Sequence, residues 1–190
     1  MKVGIYGGSF NPVHFGHVGL AKWVIEHTDL DELWLLVSPN NPLKDAHILA
    51  PEQERLEGVR EAIKDIPGLK ASDFEFSLPR PSYTANTLRE LQKAYPDCEF
   101  TLVIGEDNLA IFPQWREYEF ILENFRIFVY PRKGDNLSAS ETSGLSGEAG
   151  LSSVSGAVCQ AKPVKEIRFL SEAPLFDISS SAIRRGQGRQ

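Results

Sequence analysis

Cysteine is scarce: Cys98 and Cys159 are the only two in 190 residues. A chain of this length can bury a full hydrophobic core, so two thiols do not read as a disulfide framework. Cationic excess is lacking too. Twenty Lys and Arg stand against 26 Asp and Glu, a formal net charge of −6, whereas neutralising a polynucleotide backbone needs a basic stripe. No polynucleotide partner is expected, although a small phosphorylated ligand needs only a local cluster. No apolar run reaches the ~18 residues of a membrane span, and the chain opens on a strand pattern rather than a signal-peptide core. The expectation is therefore no membrane partner and a cytoplasmic location. Internal repeats and H-E-x-x-H are absent, no Walker-type lysine follows the first glycines, and Gly4, Gly7 and Gly8 do not make G-x-G-x-x-G. This argues against a zinc protease, a P-loop protein and a nicotinamide dehydrogenase.

What the chain does carry is concentrated in Gly7-Gly8-Ser9-Phe10-Asn11-Pro12-Val13-His14-Phe15-Gly16-His17. The apolar run at 3–6 reads as a buried first strand, and helical periodicity follows the motif. Gly7 and Gly8 let the main chain turn sharply and approach a ligand with no Cβ between them, and a helix start offers unpaired N–H groups to an anion. Pro12 suits the approach to that helix. From His14, positions 14, 17, 18, 21 and 25 share one helical face. That sets His14 and His17 one turn apart above Val18, Ala21 and Ile25, pointing at one bound group. Zinc would need further ligands, and His27 and His47 have no metal-like spacing to the pair. The stretch reads as a phosphate site.

Leu33-Trp34-Leu35-Leu36-Val37 is a second apolar run of strand length, so strand, helix and strand form a βαβ unit with parallel strands. Such a unit predicts an open α/β sheet that binds ligands at its carboxyl edge. Lys44 lies in the loop after the second strand, where a phosphate contact and an ordinary solvated lysine are both open. Pro51, Glu52 and Glu54 begin a second helix that carries Leu56, Val59 and Ile63 inward and ends by Pro67-Gly68. Phe74-Glu75-Phe76-Ser77-Leu78 alternates as a strand does. Thr87 and Glu90 have capping-box spacing, which starts a third helix there and makes Ser82, Tyr83 and Thr84 readable as its approach.

Phe100-Thr101-Leu102-Val103-Ile104 is another buried-type strand, with Gly105-Glu106-Asp107 directly behind it, an acid placed to accept from ribose hydroxyls. Trp115 falls at a break between two short helices, open to a core or a stacking role. A fifth strand at 125–130 ends in Pro131-Arg132-Lys133-Gly134. The Ser/Gly-rich stretch at about 135–160 reads as a flexible insertion in a single domain over 1–190. After a last strand at 165–170, the serines at 179–181 lead a helical segment with Arg184 about one turn in, a second anion site.

Separate motifs here resemble one family. Gly8-Ser9-Phe10-Asn11-Pro12-Val13-His14-Phe15-Gly16-His17 resembles the G-x-F-[DN]-P-x-H-x-G-H signature of the nucleotidyltransferase superfamily, with Asn11 where Asp is common. Ile178-Ser179-Ser180-Ser181-Ala182-Ile183-Arg184 resembles its C-terminal I-S-S-[ST]-x-[IV]-R signature. Ser82-Tyr83-Thr84-Ala85-Asn86-Thr87-Leu88 and Gly105-Glu106-Asp107-Asn108-Leu109, followed by Trp115, are similar to the nicotinate mononucleotide adenylyltransferases. Pro81 stands where Gly is frequent, and members usually continue through another helix beyond the position of Arg184.

The resemblance implies a Rossmann-like, mostly parallel nucleotidyltransferase sheet with helices on both faces. It implies adenylyl transfer from ATP to nicotinate mononucleotide, giving nicotinate adenine dinucleotide and pyrophosphate in NAD biosynthesis. His14 and His17 would hold the ATP phosphates and the transition state, with Lys44 and Arg184 as further catalytic cations. Gly7, Gly8, Ser9 and Phe10 would meet the nucleotide, and Gly105, Asp107, Arg132, Ile178, Ser179 and Arg184 would complete its site. Tyr83, Thr84 and Arg116 would meet the nicotinate carboxylate through main-chain groups, with Trp115 stacked on the pyridine and Lys44 in the phosphate region. Mg²⁺ would come with ATP, held by phosphates and water rather than by a protein metal site. The sequence leaves a homo-oligomer open. It also leaves open the same chemistry on nicotinamide mononucleotide, phosphopantetheine or a cytidylyltransferase acceptor, and a non-catalytic nucleotide sensor on the same fold.

Overall fold

The computed structural model describes residues 1–39, 49–132, 164–176, 180–184 and 186. Lys44, Ile178, Ser179 and the Ser/Gly-rich stretch at about 135–160 lie outside them. Strands that are apolar on both faces need cover on both sides, and a parallel sheet flanked by helices supplies it. β1 (Lys2–Gly8), β2 (Glu32–Val37), β3 (Leu69–Ser72), β4 (Glu99–Gly105), β5 (Arg126–Tyr130) and β6 (Glu166–Phe169) form one sheet. Their order is β3-β2-β1-β4-β5-β6, and each neighbouring pair is parallel.

Strand alternation sorts the side chains into two cores. Leu33, Leu35, Val37, Val103 and Phe128 pack with Leu20, Ala21 and Val24 of α1 (Phe15–His27) and Leu56, Val59 and Ile63 of α2 (Glu52–Ile63). Trp34, Leu36, Ile5, Leu102, Ile104 and Ile127 pack with Ala85, Leu88 and Leu91 of α3 (Thr84–Ala94) and Ile121 of α5 (Tyr118–Asn124). Two shorter helices, α4 (Glu106–Ala110) and α6 (Ser180–Arg184), lie at strand ends and on the first turn. The expected open, Rossmann-like sheet with helices on both faces is present.

Chain order places the site. From β1 the strands step outward to β3, then the chain returns to lay β4 on the other side of β1. Beyond the carboxyl ends of β1 and β4 the connections part, and a crevice opens there. The opposite, amino ends are pinned by charge. Arg126 donates to the two oxygens of Asp29 at 2.9 and 3.1 Å and to Glu166 at 3.1 Å, which holds the Asp29 carboxyl well below the usual carboxylate range.

Three local expectations are corrected. Residues 74–78 are not a strand: Phe74–Ser77 is a 3₁₀ turn, and the strand of this region is β3. A strand would put Phe74 and Phe76 on one face, but Phe74 packs against one core and Phe76 against the other. Helix α3 begins at Thr84 with Tyr83 as its N-cap, so Thr87 lies inside it. Its hydroxyl is spent on Glu75, at 2.8 Å, instead of on a cap. In α1 the buried residues are Gly16, Leu20, Ala21 and Val24, while Val18 and Ile25 are only partly buried. The inward stripe is turned by roughly one residue, about 100°, from the predicted one, and this leaves the histidine side at the crevice.

Candidate active site

The turn after β1 owes its shape to contacts between side chains. Phe10 has φ +43°, a region costly for a residue with a Cβ. It is held there because its ring is buried, edge-on to Tyr6 at 5.7 Å and to His17 at 5.1 Å. The same ring lies so close to the strand end that a Cβ on Gly8 would come within 3.0 Å of it. Gly7 differs, since a Cβ there would meet nothing within 4 Å and the residue faces the cavity.

His14 is the N-cap of α1, and its ring stacks on that of His17 with centroids 3.7 Å apart. The His14 main-chain N–H donates to His17 Nδ1 at 3.3 Å. With Nδ1 accepting, neutral His17 carries its proton on Nε2. Burial, helped by the charge of Arg132, pushes the His14 pKa down to about 4. His14 is therefore neutral at pH 7, ready to gain a proton when an anion arrives.

The tertiary structure brings the two ends of the chain together on this turn. Ser180 Oγ donates to the Pro12 carbonyl at 2.9 Å, and Arg184 Nη1 donates to the Asn11 carbonyl. Arg132, just past β5, donates to Asp107 Oδ2 at 2.6 Å, so the acid that the sequence places for a ribose is paired with a cation.

A single cavity of about 650 Å³ is lined by Gly7, Gly8, Ser9, Phe10, His14, His17, Asp107, Arg132 and Arg184 together with Tyr83, Thr84, Trp115 and Arg116. Gly105 is not on that lining. A Cβ there would run into Asp107 Oδ1 and come within 3.2 Å of the Tyr130 ring, so this glycine lets Asp107 and Tyr130 close over the end of β4. Trp115 packs on Phe112 at 5.1 Å, and its indole Nε1 is buried with no protein partner. The Arg116 guanidinium lies 4.9 Å from the Tyr83 ring centroid.

At the carboxyl end of the sheet, two buried charged residues escape the sequence-based expectations. Glu75 lines the cavity and accepts from Thr87 Oγ1 at 2.8 Å. Burial pushes its carboxyl up, against the pull of the Thr87, Ser38 and Ser82 hydroxyls. Its mistaken place in a strand hid it. Arg55 of α2 is also buried, and as one polar residue among many on that helix it carries no signal of its own.

The cytidylyltransferase-like family matches residues 5–186. A protein of Bacteroides fragilis named "Probable nicotinate-nucleotide adenylyltransferase" is 42% identical over 183 residues, 96% of this chain and 80% of that protein. One of the same name from Cytophaga hutchinsonii is 48% identical over 184 residues, covering 97% and 84%. The chain belongs to the cytidylyltransferase-like nucleotidyltransferases. Among solved structures, the nicotinic acid mononucleotide adenylyltransferase of Plasmodium falciparum complexed with NaAD superposes with a TM-score of 0.71. It is 17% identical and covers 97% of this chain and 82% of its own, a likeness of fold.

The family assignment gives the histidine pair a measurable consequence. In the ligand-free protein, His14 is expected to titrate near 4 in an NMR experiment. If a triphosphate is bound at this turn it favours the charged ring, and the His14 pKa is then expected to rise by more than ~1 unit. ATP affinity must then increase as pH falls through the window between the two values, because binding takes up a proton. A His14 pKa unchanged by ATP removes this ring from the phosphate site.

Proposed function

We propose that this protein transfers the adenylyl group of ATP to nicotinate mononucleotide, forming nicotinate adenine dinucleotide and pyrophosphate, a step of NAD biosynthesis. One observation carries the proposal: the cationic turn of β1, α1 and α6 shares a single cavity with the Tyr83, Thr84 and Trp115 wall. A triphosphate at one end and a pyridine mononucleotide at the other would have their phosphates meet between them. An oxygen of the mononucleotide 5′-phosphate attacks the α-phosphorus in line, and the bond from that phosphorus to the β-phosphate oxygen breaks. The attacking phosphate is already ionised at pH 7, so neither a general base nor a covalent enzyme intermediate is required.

The protein's work is then alignment and charge stabilisation. His17 Nε2–H, His14 once protonated, Arg132 and Arg184 serve the phosphates. Main-chain groups of residues 7–10 line the turn, and the family resemblance would add Lys44, Ile178 and Ser179, which lie outside the described residues. Tyr83, Thr84 and Arg116 meet the pyridine carboxylate, with Trp115 against the ring. Among the described residues no three His, Cys, Asp or Glu are grouped to hold a metal. The carboxylates on the cavity wall are Glu75, bonded to Thr87, and Asp107, bonded to Arg132. That donor set suits a Mg²⁺ held chiefly by triphosphate oxygens and water, where it would screen phosphate charge.

Pyrophosphate release from ATP with nicotinate or nicotinamide mononucleotide as acceptor tests the proposal. Donors matched to a carboxylate reject the carboxamide, so the acid is expected to have a kcat/KM at least ~100-fold higher. Preference for the amide, or tight ATP binding with no product from either acceptor, overturns it.

A further inference from the structure

A buried guanidinium ordinarily sits against a carboxylate, because an unpaired charge is costly inside a protein. Arg55 is 4% exposed, and every hydrogen bond it makes is to a main-chain carbonyl. Nη1 donates to Ser9 O at 2.6 Å and to Ser38 O at 2.8 Å, Nη2 to Pro39 O at 3.3 Å, and Nε to Ala50 O at 2.9 Å. The acid one turn before it, Glu52, is bonded to Arg80 instead, at 2.9 Å.

The four carbonyls belong to three separate segments: the turn after β1, the residues that follow β2, and the approach to α2. Two further bonds close the same brace. Ser38 N–H donates to Gly8 O at 2.9 Å, and Ala50 N–H donates to Asn11 Oδ1 at 3.1 Å. The bond to Ser9 has a directional effect as well. In a planar trans peptide the C=O and the next N–H point opposite ways, so anchoring Ser9 O toward α2 turns the Phe10 N–H away from α2. Arg184 holds the carbonyl two residues further on, that of Asn11, from another element.

We propose that Arg55 is a positioning residue for the phosphate end of the site: a buried cation that fixes the 7–10 turn and the segment after β2 against each other. It also places a positive charge that is hydrogen-bonded to no carboxylate beneath the turn that receives the triphosphate. The inference rests on the triphosphate binding at that turn, as in the proposed function, but not on the identity of the acceptor.

The test is calorimetric binding of a non-hydrolysable ATP analogue and of adenosine to the wild type, Arg55→Met and Arg55→Lys, with folding followed by circular dichroism. Met removes every donor and the charge. Lys keeps the charge but offers one point donor group in place of a planar fork. The expected result is a loss of analogue affinity of at least tenfold in Met and an intermediate loss in Lys, with adenosine affinity changed less than twofold in both. Should Met fail to fold, Lys decides alone: analogue affinity at least threefold down, with adenosine affinity changed less than twofold, supports positioning. Analogue affinity and turnover at wild-type level in the folded variants overturn the proposal. A purely structural role would lower thermal stability and leave the analogue-to-adenosine ratio where it was, and that outcome also overturns it. A wild type that binds the analogue but makes no dinucleotide overturns the function proposed above and leaves this binding comparison intact.

Discussion

Replacing His17 with Ala is expected to cut turnover by about 10²- to 10³-fold while nicotinate mononucleotide affinity stays within about threefold. The magnitude is that of removing one preorganised donor from developing charge on a reacting oxygen. Preorganisation is visible in the structure. The His14 main-chain N–H occupies His17 Nδ1, and the Phe10 ring stands edge-on to the imidazole at 5.1 Å. Both the tautomer and the orientation of the ring are therefore set before substrate arrives. Because the donor matters most once charge builds on the transferring group, the loss belongs in kcat rather than in acceptor binding. Steady-state kinetics beside equilibrium binding of the mononucleotide separates the two. Turnover within threefold of wild type removes His17 from the catalytic machinery.

Trp115→Ala is expected to raise the KM for nicotinate mononucleotide about 10- to 100-fold and to leave the KM for ATP within twofold. A base stacked on an aromatic side chain is worth about 1–3 kcal/mol, and Trp115 lines the same cavity as Tyr83 and Thr84. The indole also packs on Phe112 at 5.1 Å, so part of any loss could come from a disturbed core. Trp115→Phe separates the causes, since it keeps a ring for both neighbours. It should recover most of the acceptor affinity. A normal acceptor KM in Trp115→Ala assigns the residue to packing alone.

The elements that were legible in the chain are those whose cause is local. The runs at 33–37, wholly apolar, and 100–104, apolar but for Thr101, became β2 and β4 because a strand covered on both faces favours apolar residues along its whole length. Pro51 and the acids behind it marked the start of α2, and Leu56, Val59 and Ile63 of that helix are buried. Where local pattern competed with long-range packing, packing won. Phe74 and Phe76 alternate as in a strand, yet they are claimed by opposite cores. Thr87 carries a capping signal, yet the buried Glu75 takes its hydroxyl. A residue's helical or extended preference is worth tenths of a kcal/mol, less than burying a phenylalanine or pairing a buried carboxyl.

By itself the sequence determined the strands and helices apart from β3, the glycine turn after β1 and the i, i+3 spacing of His14 and His17, and it marked 178–184 as a candidate second anion segment. All of these follow from residues within one turn or one strand of each other. Only the tertiary structure decided that Ser180 and Arg184 reach the Pro12 and Asn11 carbonyls, 168 and 173 residues earlier in the chain. It alone decided that Phe10 is held at positive φ, that Arg132 closes on Asp107, and that Arg55 gathers the carbonyls of three segments. The physical reason is the same in each case. A hydrogen bond or ring contact between distant segments exists once the sheet has brought them side by side, and no spacing along the chain encodes that approach.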